Sequence, residues 1–330
     1  MESKMAKLIA RVWRGNYIES VHEAIASVYD ETGKEIFCTG DPSQKSFLRS
    51  SAKPFQAATL YTSGVAEKLQ LKPEWIAMAC ASHNGEPIHL QQLSAFLAHI
   101  DLDESFLKCG PQAPMAFNYG WKGERLKEYG PLTNNCSGKH TAMLAIAKAL
   151  KLPLDNYLDY DHPVQQAIIK NIGKYGEIHD IPLARDGCSA PVFYVSVSVM
   201  AKMYLHLAMG SDEAMRQLFQ IMSRFPYLIA GYGRFDTQLM EAAPGKLLTK
   251  VGAEGVQGCA VRMPDGRRFG INLKVRDGNN RVSGLLLITI LKQLKLLSDA
   301  ELLRLQKWQI IPLKNHAGLT VGKIDGQIIE

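Results

Sequence analysis

The spacing of apolar residues switches along this chain, and the order of the switches constrains the fold more than any single motif. Up to about residue 50 the apolar residues fall in short strand-like runs: Leu8–Trp13 ends at Gly15-Asn16, and Ala24–Tyr29 and Glu35–Thr39 flank the turn Asp30-Glu31-Thr32-Gly33. Such runs, punctuated by turn residues, read as a small antiparallel sheet. From Pro54 to about Gly245 the spacing is helical, in Phe55–Tyr61, Trp75–Cys80, Leu90–Ile100, Thr141–Leu150, Val164–Ile172, Phe193–Met209 and Asp212–Met222. Strand character returns at Lys246–Val251 and Cys259–Met263 and, beyond the turn Pro264-Asp265-Gly266, at Arg268–Val275. A helix over Val282–Leu296, a short one opened by Ser298 and a last strand near Leu319–Ile324 close the chain. If the two strand blocks pair, the helical block is an insertion. The expected architecture is α+β: an antiparallel sheet flanked by helices from residues 1–52 plus 246–330, and a mainly helical domain from 53–245. The active site is expected in the cleft between them.

Composition narrows the class of function. At 330 residues, 46% hydrophobic and 21% charged, the chain suits a soluble globular protein with room for two cores. Its net charge of +6 is mild, and no basic run is interleaved with aromatics, which argues against nucleic acid as partner. No apolar run approaches the ~20 residues of a membrane span. Met1-Glu2-Ser3-Lys4 leads directly into Leu8-Ile9-Ala10-Arg11-Val12 without a signal-peptide core, so no membrane and a cytoplasmic location are expected. The six cysteines, at 38, 80, 109, 136, 188 and 259, form no C-x-x-C pair and read as reduced thiols.

The chemistry-bearing residues begin with Ser50-Ser51-Ala52-Lys53 at the expected start of the helical block, where Pro54 belongs in a first helical turn. Residues three apart share a helical face. A lysine kept from water there loses its proton near neutrality and can take the proton of Ser50 as the serine attacks a carbonyl. Ser82-His83-Asn84 has the form S-x-N, and Lys250-Val251-Gly252 the form K-x-G. Ser82 can relay a proton, Lys250 can hold that hydroxyl or anchor a carboxylate, and Asn84 can bind polar groups of a substrate. S-x-x-K, S-x-N and K-x-G, in this order, resemble the set used by serine β-lactamases and penicillin-binding proteins. The short interval from 50 to 82 argues against lactam hydrolysis while leaving the acyl-transfer groups in place.

A second cluster comprises Asn134-Asn135-Cys136-Ser137-Gly138-Lys139-His140 and Asp186-Gly187-Cys188-Ser189. A P-loop is excluded, because Thr133 stands where its first glycine belongs and His140 where Ser or Thr belongs. Cys136 and Cys188 in polar loops suit a zinc ion, with Lys139, His140 or Asp186 as third ligand and one position open. Arg49 is either a fork for a substrate carboxylate or a surface or interface arginine. His140 either positions substrate and tunes the metal or simply bonds a loop. Asp186 either orients Lys139 or the substrate amine, or forms a turn before Gly187. Arg234 and Asp236 read as a structural pair in a loop over the cleft.

Leu48–Pro54, Ser82–Glu86, Asn134–His140, Asp186–Pro191, Lys250–Gly255 and Leu273–Gly278 together resemble the L-asparaginase II family, the third structural class of asparaginases. The resemblance runs over nearly the whole chain. It implies a fold like that of serine β-lactamases and penicillin-binding proteins, a homodimer, and hydrolysis of L-asparagine to L-aspartate and ammonia. It also implies two Ser-Lys tandems, Ser50 with Lys53 and Ser82 with Lys250, and a zinc ion held by Cys136, Lys139 and Cys188. A glutaminase or a β-lactamase-type hydrolase on the same fold is the competing enzyme reading, and a metal-dependent amino-acid-binding protein the competing non-enzyme.

Overall fold

The computed structural model describes residues 6–329, so Met1–Lys4, on which the signal-peptide reading draws, lies outside the described residues. Contacts divide the chain into two compact units. One holds the chain up to Ser51, Val195–Met209 and everything from Leu239 on; the other holds Ala52–Tyr194 and Gly210–Gln238.

The first unit is built on an antiparallel sheet. Its strands are β1 (Lys7–Arg14), β2 (Tyr17–Asp30) and β3 (Glu35–Thr39), then, after the short β4 (Lys45–Phe47), β5 (Leu183–Arg185) and β6 (Pro191–Ser196), β7 (Leu247–Gly252), β8 (Val256–Arg262), β9 (Arg268–Val275), β10 (Ile310–Lys314) and β11 (Thr320–Ile329). The sheet order is β10-β11-β1-β2-β9-β8-β7, with β3 also on β2; β4, β5 and β6 are not part of it. The β2–β3 hairpin forms because Asp30 Oδ1 accepts from the Thr32 and Lys34 amides, while Gly33 takes φ +78°. The second strand block thus pairs with the first: Ser27 lies opposite Asn272, and Lys7 opposite Ile329.

Two helices cover this sheet, Val197–Met209 and Ser283–Gln293. The second is apolar on nearly all sides and accordingly buried. The first departs from expectation, since the periodicity predicts one helix over Phe193–Met209 inside the helical block. The β-branched and aromatic run from Pro191 instead forms β6, and the helix that follows belongs with the sheet. Glycines in the sheet explain why. A Cβ on Gly258 would lie 2.0 Å from the Tyr204 ring, and one on Gly270 would lie 2.2 Å from the Leu205 amide nitrogen. The helix is seated where the sheet has no side chains.

The second unit is mainly helical. The helices Pro73–Cys80 and Ser137–Ala149 cross so closely that a Cβ on Gly138 would lie 2.0 Å from the Met78 carbonyl oxygen. That contact gives the Gly138-Lys139 pair a packing reason where a nucleotide-binding one was rejected. β5 and β6 form a hairpin whose turn, 186–190, carries Cys188. Among the described residues no helix is long and apolar enough to cross a membrane.

Candidate active site

Each unit presents its own set of reactive side chains. In the first, Ser50 sits in the 3-10 turn Arg49–Ala52, which Arg49 enters in the left-handed region at φ +50°. For an arginine this backbone conformation costs energy and persists only where surroundings enforce it. They do so here. Ser51 donates from both its amide and its Oγ to the Leu48 carbonyl, at 3.2 and 2.6 Å, and Tyr204 Oη donates to the Ser51 carbonyl at 2.8 Å. Gly252, the glycine of K-x-G, lies against the same turn, for a Cβ there would come within 2.8 Å of the Leu48 carbonyl oxygen. Lys250 lies two residues before it on β7, wholly buried, with Nζ donating to the Val251 carbonyl at 2.9 Å.

In the second unit Lys53 opens the helix Lys53–Ala57 and has no exposed surface. Its Nζ reaches three oxygens: the Ala81 carbonyl at 2.6 Å, Ser82 Oγ at 3.0 Å and the Asn135 carbonyl at 3.0 Å. Burial holds this amine below its ordinary value, the thiol groups of Cys136 and Cys188 oppose the shift and the Lys139 ammonium adds to it. A neutral amine has two N–H bonds and one lone pair. Two carbonyls can only accept, so they take the N–H bonds and the lone pair is left for the Ser82 hydroxyl proton.

Asn84 lies wholly buried two residues on from Ser82. Its Nδ2 donates to Glu86 Oε1 at 3.1 Å and to the Tyr232 carbonyl at 2.9 Å, and its Oδ1 accepts from Arg234 Nη1 at 3.0 Å. These bonds tie Asn84 to Glu86 and to the segment that carries Tyr232 and Arg234. His83 is also inside, with Nε2 on Ser137 Oγ at 2.9 Å and Nδ1 accepting from the Gly85 amide.

Cys136 precedes the first residue of the helix Ser137–Ala149, and Asn134 Oδ1 fixes its amide at 2.9 Å. The turn that bears Cys188 is closed by Asp186 and Ala190, with Ser189 at φ +68°. Asp186 Oδ1 also accepts from the Gly187 amide, the turn-forming role. Lys139 Nζ donates to Cys188 Sγ at 3.1 Å. A hydrogen bond from Cys136 is the largest influence lowering the Cys188 thiol, and the same bond raises that of Cys136. Burial disfavours the Lys139 charge, but Cys188, Cys136 and Asp186 outweigh it and hold the amine protonated. The arrangement favours the charged form at Cys188 and Lys139 and the neutral thiol at Cys136.

His140 Nδ1 and Tyr157 Oη share a hydrogen bond of 2.7 Å, and that hydroxyl also accepts from the Lys108 amide. The His140 Nε2 is buried without a hydrogen-bond partner among the described residues, and burial pushes the imidazole down to about 3. An orphaned buried polar atom costs free energy unless something occupies the space beside it.

Among the described residues no group of three or more His, Cys, Asp and Glu side chains is gathered to hold a metal ion. Two sulfurs and a lysine amine are gathered, which in donor type and number fit a zinc ion with one open position. Binding there would displace protons from Cys136 and Lys139.

Sequence reasoning missed Glu86, Tyr157 and the reach of Arg234. Glu86 left a signal, because it caps the helix Pro87–His99 in a reciprocal box with His89.

A family model described as L-asparaginase II matches residues 10–325 of the chain. No curated protein matches. Solved structures that resemble it include a β-lactamase from Sphaerobacter thermophilus, 12% identical, with 84% of this chain and 92% of that one covered at a TM-score of 0.46. A β-lactamase from Burkholderia ambifaria is also 12% identical, covering 84% and 95% at 0.43. The penicillin-binding protein PBP-A is 12% identical, covering 82% and 90% at 0.39. Likeness at this level carries no argument by itself.

Proposed function

We propose, because the chain belongs to the L-asparaginase II family and because the Lys53 amine is buried against two carbonyls and the Ser82 hydroxyl, that it hydrolyses the side-chain amide of L-asparagine to L-aspartate and ammonia. The observation that carries this reading is the Lys53 amine, with two carbonyls and one serine hydroxyl as its partners. Burial disfavours an ammonium in that place and outweighs the opposing pull of Cys136 and Cys188, so the amine is held below its ordinary value.

Ser50 Oγ attacks the amide carbon as the Ser82 hydroxyl gives up the Lys53 lone pair and the Ser50 proton passes to it, giving a tetrahedral intermediate. The carbon–nitrogen bond then breaks as that proton is relayed from Lys53 to the nitrogen through Ser82 and Lys250, and ammonia leaves behind an ester on Ser50 with Lys53 neutral again. Water adds to the ester carbon, the base takes the water's proton, and the serine oxygen departs with a proton as aspartate is released. Arg49, Asn84, His140 and Asp186 are the candidates for holding the substrate, with the buried His140 Nε2 as the polar atom in need of a partner. Cys136, Lys139 and Cys188 would hold a zinc ion, whose charge would anchor polar groups of the substrate. A homodimer in the cytoplasm completes the reading.

The test is ammonia release from asparagine, glutamine and a chromogenic lactam side by side, with and without a chelator, for the native protein and Ser50→Ala. Turnover of asparagine that disappears in Ser50→Ala supports the reading. Preference for glutamine or the lactam, or turnover that survives the loss of Ser50, overturns it.

A further inference from the structure

Ser82 and its hydroxyl stand on a loop, 81–86, with no helix or strand of its own. A loop hydroxyl can exchange a proton with Lys53 reproducibly only if the backbone beneath it is held. Both backbone groups of Ser82 are held by one distant segment. The Ser82 amide donates to the Ile229 carbonyl at 2.9 Å, and the Ser82 carbonyl accepts from Arg234 Nη1 at 3.0 Å. The same nitrogen donates to Asn84 Oδ1 at 3.0 Å, so one guanidinium spans the first and third residues of S-x-N.

Arg234 is itself immobilised. It is 4% exposed, its carbonyl accepts from the Gln238 amide at the head of the following helix, and its guanidinium lies 5.1 Å from the Tyr119 ring centre. Glu86 ties the rest of the strap down, accepting from the Tyr232 amide at 2.8 Å, from Asn84 Nδ2 at 3.1 Å and from Tyr227 Oη at 2.5 Å. Gly231 leaves no slack. At φ +112° it approaches so near that a Cβ would fall 2.3 Å from Glu86 Oε1 and 2.9 Å from Asn84 Nδ2.

A buried guanidinium is expensive to desolvate, and its bonds to Ser82 and Asn84 go to neutral oxygens. What those bonds secure is position. We propose that Arg234 is a positioning residue for the reaction: by clamping the Ser82 carbonyl and the Asn84 side chain it keeps Ser82 Oγ at hydrogen-bonding distance from Lys53 Nζ. The proposal rests on the reading of Ser82 and Lys53 as proton-transfer groups. Displacement of Ser82 by an ångström slows the chemistry without altering how tightly the substrate is held.

The experiment is a double-mutant cycle on asparagine turnover with Ser82→Ala, Arg234→Ala and the pair, each checked by thermal melting. Arg234→Ala is expected to lower kcat by about 10²-fold with KM nearly unchanged. Added guanidinium ion should restore part of the loss, and the pair should be no slower than Ser82→Ala alone. If the losses multiply, or if folded Arg234→Ala keeps its kcat, Arg234 does not act through Ser82 and the proposal falls while the proton-transfer reading stands. Wild-type turnover in Ser82→Ala would remove that reading, and the proposal with it. Should Arg234→Ala not fold, Arg234→Lys takes its place. It keeps the buried charge and one donor, a smaller kcat loss at constant KM is expected, and an unchanged kcat overturns the proposal.

Discussion

Lys53 and Lys139 are the same side chain at nearly the same depth of one unit, and their surroundings shift them in opposite directions. Burial pushes both towards the neutral amine. Around Lys53 two carbonyls and a hydroxyl accept from the amine, and although Cys136 and Cys188 favour its charge here too, burial together with the Lys139 ammonium outweighs them and holds the amine below its ordinary value. Around Lys139 the Cys188 and Cys136 sulfurs and the Asp186 carboxylate reverse the effect of burial. Depth therefore does not decide what a buried lysine can do; the charge of its acceptors does. The first region suits a base and the second an anchor.

The comparison breaks most visibly in the chemistry. Lys53→Ala and Ser50→Ala should each lower kcat by at least ~10³-fold with the fold intact, and the double variant should be hardly slower than either one. Multiplied losses would mean that Ser50 and Lys53 do not work as a unit.

At the anchor the expected loss is smaller and falls on a different constant. Cys136→Ser or Cys188→Ala should raise KM by about 10- to 100-fold, more than it lowers kcat, and should abolish a zinc content near one per chain in metal analysis. A Cys188→Ala enzyme with kcat near zero at saturating asparagine, alongside an active Ser50→Ala, would reverse the two roles and make a metal-bound water the nucleophile.

The pH profile sharpens the contrast without any substitution. Only the neutral Lys53 amine accepts a proton, so kcat/KM should rise as pH rises through its free-enzyme value. That limb should lie below 10.5, the ordinary lysine value, because burial lowers it. A limb at or above 10.5 would show that burial does not govern the site.

Lys148 supplies the smallest effect. It shares the helix of Lys139 but is 35% exposed, and it pairs with an Asp101 side chain that is 89% exposed. Lys148→Met should shift stability by under about 1 kcal/mol in chemical denaturation and leave turnover alone. A larger change would mean that the helix face near 148 is coupled to Lys139.

How much of this could be read from the chain depended on how far each interaction reaches. The Ser-Lys spacing is local, and so is the capping box of Ser298 and Glu301, so both show in sequence. Of the candidates for the third donor beside the cysteines, Lys139, His140 and Asp186 were equivalent by spacing, and Lys139 is the one at 3.1 Å from Cys188. Arg234 stands 152 residues from Ser82 and bonds its backbone, a contact that requires no residue type at its partner and so leaves no pattern. The helix Val197–Met209 was visible as a helix, but its partner was not. The signal lay in Gly258 and Gly270, far downstream.

The placing of β1 between β2 and β11 has a consequence for how the protein comes to be made. β1 is made before the other strands of the sheet, and it meets β2 within a few residues, but its other edge waits for a strand made some three hundred residues later. Until then it offers a row of unpaired amides and carbonyls to any extended chain nearby. Closure of the sheet thus waits on a pairing of large sequence separation, which makes it slow. Chaperone dependence and aggregation during overexpression should therefore trace to the last strand to arrive, and a circular permutant joining the end of β11 to the start of β1 would remove the wait.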